Sequence, residues 1–192
     1  MIQKAFAQSD KVYLVQSGRV RLLRQGKGRR KSLLAVLKPG DLFGDVLRSG
    51  SALDEQAESS GKSEVWSIEG RDFRALLEAR PALAVDVIRA LGERVQEMRR
   101  RVVGLTRKDV PARLADSILA LAGDHGEKAE GERHTSLTGV TQQDLADLVG
   151  ASRSFVSTLV NQMKRDGLLT SQGRRLIITD TAGLQKLASV EK

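Results

Sequence analysis

Cysteine is absent from this chain of 192 residues, and aromatic residues make up only 3% of it. The absence of cysteine excludes disulfides, thiolate metal sites, thiol nucleophiles and cysteine-ligated iron–sulfur clusters, and it suits a reduced cytoplasm. No apolar run approaches membrane-spanning length, and residues 1–4 do not open the apolar block of a signal peptide. We therefore expect a cytoplasmic protein that makes no contact with membranes.

The sequence also lacks an assembled catalytic or metal-binding constellation. Its two histidines, His125 and His134, lie in a polar, glycine-rich stretch at 123–138 that we predict to be a loop. Their spacing matches no metal-ligand pattern, and neither a phosphate-binding Gly-Lys-Ser/Thr loop nor a Gly-x-Ser-x-Gly elbow occurs. We expect neither an enzyme nor a protein with a metal or another cofactor.

Positive charge is in excess, with a formal net charge of +8. Such a balance suggests a polyanionic partner, but its distribution weakens that argument. Residues 1–109 hold 22 Lys/Arg against 14 Asp/Glu, whereas residues 110–192 hold 10 of each. A case for nucleic acid must therefore come from the local placement of side chains.

The most informative segment predicts two short helices joined by a glycine turn. Thr141 and Asp144 have the spacing of a capping box, so a helix opens at Thr141. Gly150 supplies the left-handed residue that ends it, and Ser152 caps a second helix. The apolar residues of that second helix recur at helical spacing and are predicted to face inward: Val156, Leu159, Val160 and Met163.

The opposite face of the second helix is polar throughout, and it is followed by a basic hairpin. Its members can hydrogen-bond base edges or phosphates: Arg153, Ser154, Ser157, Thr158, Asn161 and Lys164. In residues 167–179, two β-prone runs flank a turn at Gly173 that carries Arg174 and Arg175. A helix-turn-helix followed by such a wing indicates a DNA-binding module rather than a mere packing unit.

The chain resembles the cyclic AMP receptor and FNR group of bacterial transcription regulators, the Crp/Fnr family. The resemblance is carried by 141–146 (Thr-Gln-Gln-Asp-Leu-Ala), 149–153 (Val-Gly-Ala-Ser-Arg), 167–169 (Gly-Leu-Leu) and 37–45 (Leu-Lys-Pro-Gly-Asp-Leu-Phe-Gly-Asp). It covers nearly the whole chain. It implies an α+β protein with a cyclic-nucleotide-binding-like antiparallel β-roll, a long dimerisation helix and a C-terminal winged helix-turn-helix.

The residues themselves support this division of the chain. Short β-prone runs at 12–15, 19–24, 32–37 and 64–68, separated by glycine turns, predict a compact antiparallel roll. We place the sensor-like roll domain at 1–80, the dimerisation helix and hinge at 81–108, and the DNA-binding domain at 109–192. The last of these opens with Asp109 as helix cap and Pro111 in the first turn.

The long helix carries an apolar stripe in steps of four and three. Its core positions are Ile88, Leu91, Val95, Met98, Val102 and Leu105. β-Branched residues and leucine-like residues alternate between the two core positions, an arrangement that favours parallel two-stranded coiled coils. We therefore predict that the stripe makes a homodimer, as the matching helix does in the family. The alternative is that the stripe packs on the β-roll of its own chain.

The resemblance also assigns roles at the DNA surface. The base-reading candidates are Arg153, Ser154, Ser157 and Thr158. The phosphate-binding candidates are Thr141, Gln142, Gln143, Ser152, Asn161, Lys164 and Arg174. Arg153 matches the family arginine that reads guanine, whereas Ser154 and Thr158 stand where Glu and Arg are usual. Double-stranded DNA with an inverted repeat is the implied partner, together with RNA polymerase.

The effector site departs from the family pattern. Members that bind cyclic AMP use a Gly-Glu pair for the ribose and an Arg-Ser pair for the phosphate. Gly44 and Asp45 keep half of the first pair, but residues 53–56 read Leu-Asp-Glu-Gln where Arg-Ser is expected. Carboxylates there would repel a phosphate. Arg48 follows Gly44 too closely, so Gly44, Asp45 and Arg48 are only candidates for a pocket of unknown specificity.

We therefore expect a homodimeric, sequence-specific regulator, an activator that does not depend on cyclic AMP. The sensor half contains neither the cysteines of an oxygen sensor nor a histidine for haem. Another small ligand, a protein partner or no effector at all remain possible, and we favour a ligand-free protein controlled by its abundance. The alternative function is an effector-binding module that docks a protein instead of DNA.

Overall fold

The computed structural model describes residues 2, 10–25, 31–44, 55–126 and 134–190. The chain divides into two compact units, 1–100 and 101–192. The division falls inside one long helix, whereas the sequence-based boundaries set that helix apart as 81–108. Each unit has its own buried core.

The first unit contains two three-stranded antiparallel sheets within its described residues. Their strands are β1 (Lys11–Ser17), β2 (Val20–Gln25), β3 (Lys31–Leu37), β4 (Leu42–Gly44), β5 (Glu55–Ser59) and β6 (Glu64–Glu69). The strand orders are β4-β1-β6 and β3-β2-β5. The predicted antiparallel roll is confirmed, and β4 and β5 are additions to it. The first is only three residues long, and the second reads Glu-Gln-Ala-Glu-Ser, so neither shows an apolar alternation.

The interior of the roll is apolar. One buried cluster takes side chains from both sheets: Val15, Val20, Leu22, Leu37, Phe43 and Ala57. The ring of Tyr13 stacks on that of Phe43 with centroids 4.9 Å apart. Because these side chains come from both sheets and exclude water together, they hold the two sheets face to face.

Two helices follow the roll, α1 (Gly70–Ala79) and α2 (Pro81–Arg107). Phe73 of α1 and Val87 of α2 pack with Val12 of β1 in a second buried cluster. The guanidinium of Arg94 donates to the carbonyl oxygen of Leu42 at 3.3 Å, which ties α2 to β4. Although α2 is 27 residues long, neither it nor any other helix in the described ranges is apolar enough to cross a membrane.

The predicted heptad stripe of α2 is exposed. The exposed fractions are 68% for Ile88, 39% for Leu91, 49% for Val95, 52% for Met98, 62% for Val102 and 49% for Leu105. Between residues 88 and 98, the alternative that this stripe packs on the roll of its own chain is therefore wrong. Val87, one position off the stripe, makes that contact and is only 4% exposed.

The second unit is a helical core with a small sheet. It comprises α3 (Val110–His125), β7 (Thr135–Thr138), α4 (Gln142–Val149), α5 (Arg153–Arg165), β8 (Leu169–Gln172), β9 (Arg175–Ile178) and α6 (Thr181–Ala188). The strand order is β7-β9-β8. Fully buried residues from several of these elements form the core, among them Leu114, Ile118, Leu137, Val156 and Leu184.

The prediction of a loop over 123–138 is wrong at both ends. Helix α3 continues to His125, and residues 135–138 pair with β9, with Leu137 opposite Leu176. Leu137 is fully buried, so the strand is held by packing as well as by its hydrogen bonds. Four residues reading Thr-Ser-Leu-Thr are too short for a periodic signal, and the burial of one leucine decides their conformation.

Candidate nucleic-acid interface

The N-terminus of α4 forms the predicted capping box. The hydroxyl of Thr141 accepts from the Asp144 amide at 3.1 Å, and the Asp144 carboxylate accepts from the Thr141 amide at 2.9 Å. Asp144 is only 2% exposed. The two contacts satisfy amides that a helix start otherwise leaves without partners, so they fix where α4 begins.

Gly150 ends α4 in the left-handed conformation, with φ 65° and ψ 41°. Its amide donates to the carbonyls of Ala146 and Asp147. Ser152 then caps α5, its hydroxyl accepting from the Phe155 amide at 3.3 Å. The two helices and the glycine turn are therefore confirmed as the sequence predicts them.

Helix α5 buries one side and exposes the other. Val156, Val160 and Met163 are at most 3% exposed, whereas Leu159, predicted to face inward, is half-buried. The polar candidates divide by exposure. Arg153, Ser154, Thr158 and Asn161 are exposed, and Ser157 and Lys164 are half-buried.

Several hydroxyl groups on this face are already engaged with the helix. Thr158 donates to the Ser154 carbonyl at 3.2 Å, and the hydroxyls of Ser152 and Ser154 lie 3.1 Å apart. Arg153 differs from them, because within the described ranges no carboxylate forms an ion pair with it. Its guanidinium can therefore make charge-assisted hydrogen bonds to a ligand from the first turn of α5.

The candidates at the start of α4 are less uniform. Thr141 and Gln143 are exposed, and Gln142 is half-buried. The Gln143 amide nitrogen donates to the Asp147 carboxylate at 2.8 Å, while Thr141 retains its hydroxyl hydrogen as a donor. Their predicted contacts with phosphates stay predictions.

The wing is a tight hairpin. Gln172 pairs with Arg175, so Gly173 and Arg174 alone make the turn, and Gly173 has φ 57°. Arg174 and Arg175 are both exposed. At the base of the wing, the Thr179 hydroxyl donates to the Gly167 carbonyl at 2.6 Å. Two cations are therefore presented at the end of a short anchored hairpin.

The end of α2 is fastened to the helix-turn-helix by contacts that the sequence did not reveal. Arg113 donates to the carbonyls of Lys108, at 2.7 Å, and Val149, at 3.1 Å. Lys108 pairs with Asp116 at 2.9 Å. No spacing rule identifies Arg113 in advance, because its partners are backbone carbonyls brought near by the fold.

Leu105, predicted to lie in the dimer stripe, is placed near this turn. One of its methyl groups lies 3.5 Å from the point where a Cβ on Gly150 would stand. A side chain at position 150 would therefore reach the last turn of α2 at ordinary van der Waals distance.

Only part of the effector-pocket prediction can be placed. Gly44 has φ 90°, and a Cβ there would lie 2.5 Å from the Lys11 carbonyl and 2.8 Å from the Tyr13 ring, so the pairing of β1 with β4 requires glycine. Asp45 and Arg48 lie outside the described residues.

Beside the expected phosphate site, Gln56 is buried, and its amide donates to the Glu58 carboxylate at 2.6 Å. Lys31 donates to the same oxygen, also at 2.6 Å. This stretch of β5 therefore holds the neutral amide of Gln56 and the Glu58 carboxylate, which is paired with Lys31.

Two family models match the chain. Residues 112–187 match the Crp-like helix-turn-helix domain, and residues 1–80 match the cyclic nucleotide-binding domain. The chain belongs to the Crp/Fnr family. As a Crp-family protein with this helix-turn-helix, it is a DNA-binding transcription regulator, and regulators of the family form dimers.

Individual relatives agree with the Crp/Fnr assignment. A CRP-like cAMP-activated global transcriptional regulator of Mycobacterium tuberculosis is 28% identical over 184 residues, 93% of this chain and 80% of the relative. The HTH-type transcriptional regulator Cmr of the same species is 26% identical over 94% of this chain and 69% of its own length.

Solved structures place the fold in the same group. A CRP-family transcriptional regulator from Thermus thermophilus superposes with a TM-score of 0.82 at 25% identity, covering 98% of this chain and 93% of that one. FixK2 from Bradyrhizobium japonicum gives 0.81 at 22% identity, over 98% and 92% of the two chains. The second likeness concerns the fold alone.

Replacing Gly150 tests the turn between the two helices. Gly150→Ala should lower the free energy of unfolding by about 1 to 2 kcal/mol, because an L side chain is strained at positive φ. Gly150→Val should cost more, because a β-branched side chain is tolerated even less at positive φ. Urea denaturation monitored by circular dichroism measures both.

Two other glycines supply controls. Gly167→Ala, also at positive φ but with open space around it, should cost about as much as Gly150→Ala. Gly123→Ala, within helix α3, should stabilise by about 0.5 to 1 kcal/mol. Equal stability of the alanine and valine variants at 150 would contradict the argument from backbone strain.

Proposed function

We propose that this regulator is a homodimeric activator that reads an inverted repeat and needs no cyclic AMP. The observation that carries the proposal is the exposed guanidinium of Arg153 in the first turn of α5. Within the described ranges no carboxylate forms an ion pair with it, and it lies beside the polar face of a helix that Ser152 caps. The domain boundaries proposed for this function are 1–80, 81–108 and 109–192. The protein acts in the cytoplasm and contacts RNA polymerase at its promoters.

Dimerisation uses the exposed stripe of α2. Six large apolar side chains on one face of a helix otherwise rich in charge are unfavourable in water, and a second copy of the same stripe would cover them. The spacing is that of a parallel two-stranded coiled coil. Two-fold symmetry then brings one α5 from each protomer to the DNA, with half-site centres about 34 Å apart.

Base reading is concentrated in Arg153. Its fork can donate to guanine O6 and N7 together, which is the commonest specific contact in the major groove. Ser154, Ser157 and Thr158 have short side chains, and the Thr158 hydroxyl donates its hydrogen to the Ser154 carbonyl, so it can only accept from a base. The half-site should keep one strongly preferred guanine and be less constrained elsewhere.

The remaining polar candidates hold the backbone of the duplex. Phosphate contacts are assigned to Thr141, Gln142, Gln143, Ser152, Asn161, Lys164 and Arg174. These groups set the register on the DNA and carry no sequence preference. Arg174 at the wing tip contributes chiefly through its charge.

Independence from cyclic AMP is supported by the chemistry of β5. A nucleotide phosphate needs a cation where the family places Arg-Ser, but the described part of this stretch offers Glu55 and the amide of Gln56. That amide is already bound to Glu58. The carboxylates of Glu55 and Glu58 would repel a phosphate, and the nearby cation Lys31 is already paired with Glu58.

Charge placed on the α2 stripe should separate the dimer. We expect the double variant Val95→Glu, Met98→Glu to be a monomer, because two-fold symmetry would bury four like charges together. The matched control, Val85→Glu with Val103→Glu, changes equally exposed side chains off the stripe and should remain a dimer. Analytical ultracentrifugation decides this, and a dimeric stripe variant would contradict the placement.

Alanine substitutions of Arg153 and Arg174 should affect DNA binding in different ways. Arg153→Ala should cost about 1 to 3 kcal/mol per half-site and relax preference at one base pair. Arg174→Ala should weaken all sequences alike and lower the salt dependence by about one unit per subunit. Lys186→Ala, which removes an exposed charge from α6, is the control. Site selection from a random DNA pool reports the outcome, and an unchanged motif with Arg153→Ala would refute its role.

Cyclic AMP should leave DNA affinity unchanged, because the cation that holds its phosphate is missing from β5. A shift assay with and without the nucleotide tests this, and calorimetry checks for binding itself. A rise in affinity of about tenfold, on the order of 1.4 kcal/mol, would contradict the proposal.

A further inference from the structure

Phe155 stands out among the phenylalanines of the described chain. Phe43 and Phe73 are 3% and 5% exposed, whereas Phe155 is 45% exposed. It is the third residue of α5, and its amide donates to the capping hydroxyl of Ser152. The backbone that carries the ring is therefore held at the very start of the helix.

The ring is no part of the core of α5. That core is Val156, Val160 and Met163, and Phe155 lies about 100° around the helix axis from its centre. Its neighbour one turn on, Leu159, is half-buried, and its other side borders exposed Ser154. A single exposed apolar side chain needs no explanation by itself, but this one lies on the first turn of the DNA-reading helix. It is two residues, or about 200° around the axis, from Arg153, so the two side chains flank the exposed face from opposite sides.

The chemistry of the major groove limits what such a ring can contact. Base edges there offer hydrogen-bond donors and acceptors, and the one large apolar group is the C5-methyl of thymine. A ring pressed against a polar edge would cost that edge its water without returning a hydrogen bond. A methyl group has no such penalty, and its burial is favourable.

We propose that Phe155 is a specificity-determining residue that reads the C5-methyl group of a thymine in each half-site, and would accept 5-methylcytosine in the same place. The inference rests on the proposed function. It adds a second, apolar determinant to the guanine contact of Arg153. The operator half-site then contains one preferred guanine and one preferred thymine, and methylation of a cytosine at the second position substitutes for the thymine.

The test uses the full-length dimer and the best duplex from random-pool selection with the wild-type protein. Each thymine in turn is replaced by deoxyuridine, which removes only the methyl group. Wild-type affinity should fall about three- to fourfold for each half-site at one symmetric pair of positions. Cytosine at that pair should bind weakly, and 5-methylcytosine should restore most of the loss.

Variants then attribute the effect to the ring. Phe155→Ala should bind thymine, deoxyuridine, cytosine and 5-methylcytosine duplexes alike at that position, while Phe155→Leu should keep part of the discrimination. Val190→Ala, which truncates another exposed apolar side chain of the same unit, should behave as wild type. Because Phe155 is nearly half exposed, its truncation should leave the thermal unfolding temperature almost unchanged.

The outcomes are distinct. If wild-type protein is insensitive to deoxyuridine at every position, or if Phe155→Ala retains the full sensitivity, the ring reads no methyl group and the inference is overturned. In both cases sequence-specific binding itself still stands. If selection yields no preferred sequence at all, the proposed function fails, and the inference fails with it.

Discussion

The left-handed residue Gly150 is the constraint on which the DNA-binding unit depends. Its amide closes the last turn of α4, and the chain then turns directly into the cap of α5. This path lets Val156, Val160 and Met163 reach the core, so the polar face of α5 is left outside. Arg113 donates to the Val149 carbonyl just before the glycine, so a side chain of α3 supports the turn.

Several polar side chains of this unit also have a structural role. Thr141, Asp144 and Ser152 use their side chains to cap helices, and Thr158 returns its hydroxyl to its own helix. Arg153 has no such duty within the described ranges. Since residues 110–192 hold equal numbers of positive and negative side chains, recognition of DNA depends on where a few cations stand and hardly on overall attraction.

The sequence predicted those elements whose start, end or apolar face is set by residues close together along the chain. The capping box at Thr141, the cap at Asp109 and the turn at Gly150 are written in adjacent residues, and the stripe of α2 follows from spacing alone. Strands β4, β5 and β7 were missed because they are short or polar and are held by partners distant in sequence. Arg113 was missed because its acceptors are backbone carbonyls that the fold brings near.

The central claim is that two copies of α5, related by a two-fold axis, read one inverted repeat. Hydroxyl-radical footprinting of the wild-type protein on its selected duplex tests this most directly. The account predicts two protected clusters on each strand, arranged with dyad symmetry and with half-site centres about 10 base pairs apart. A single protected cluster, or two clusters in the arrangement of a direct repeat, would contradict it.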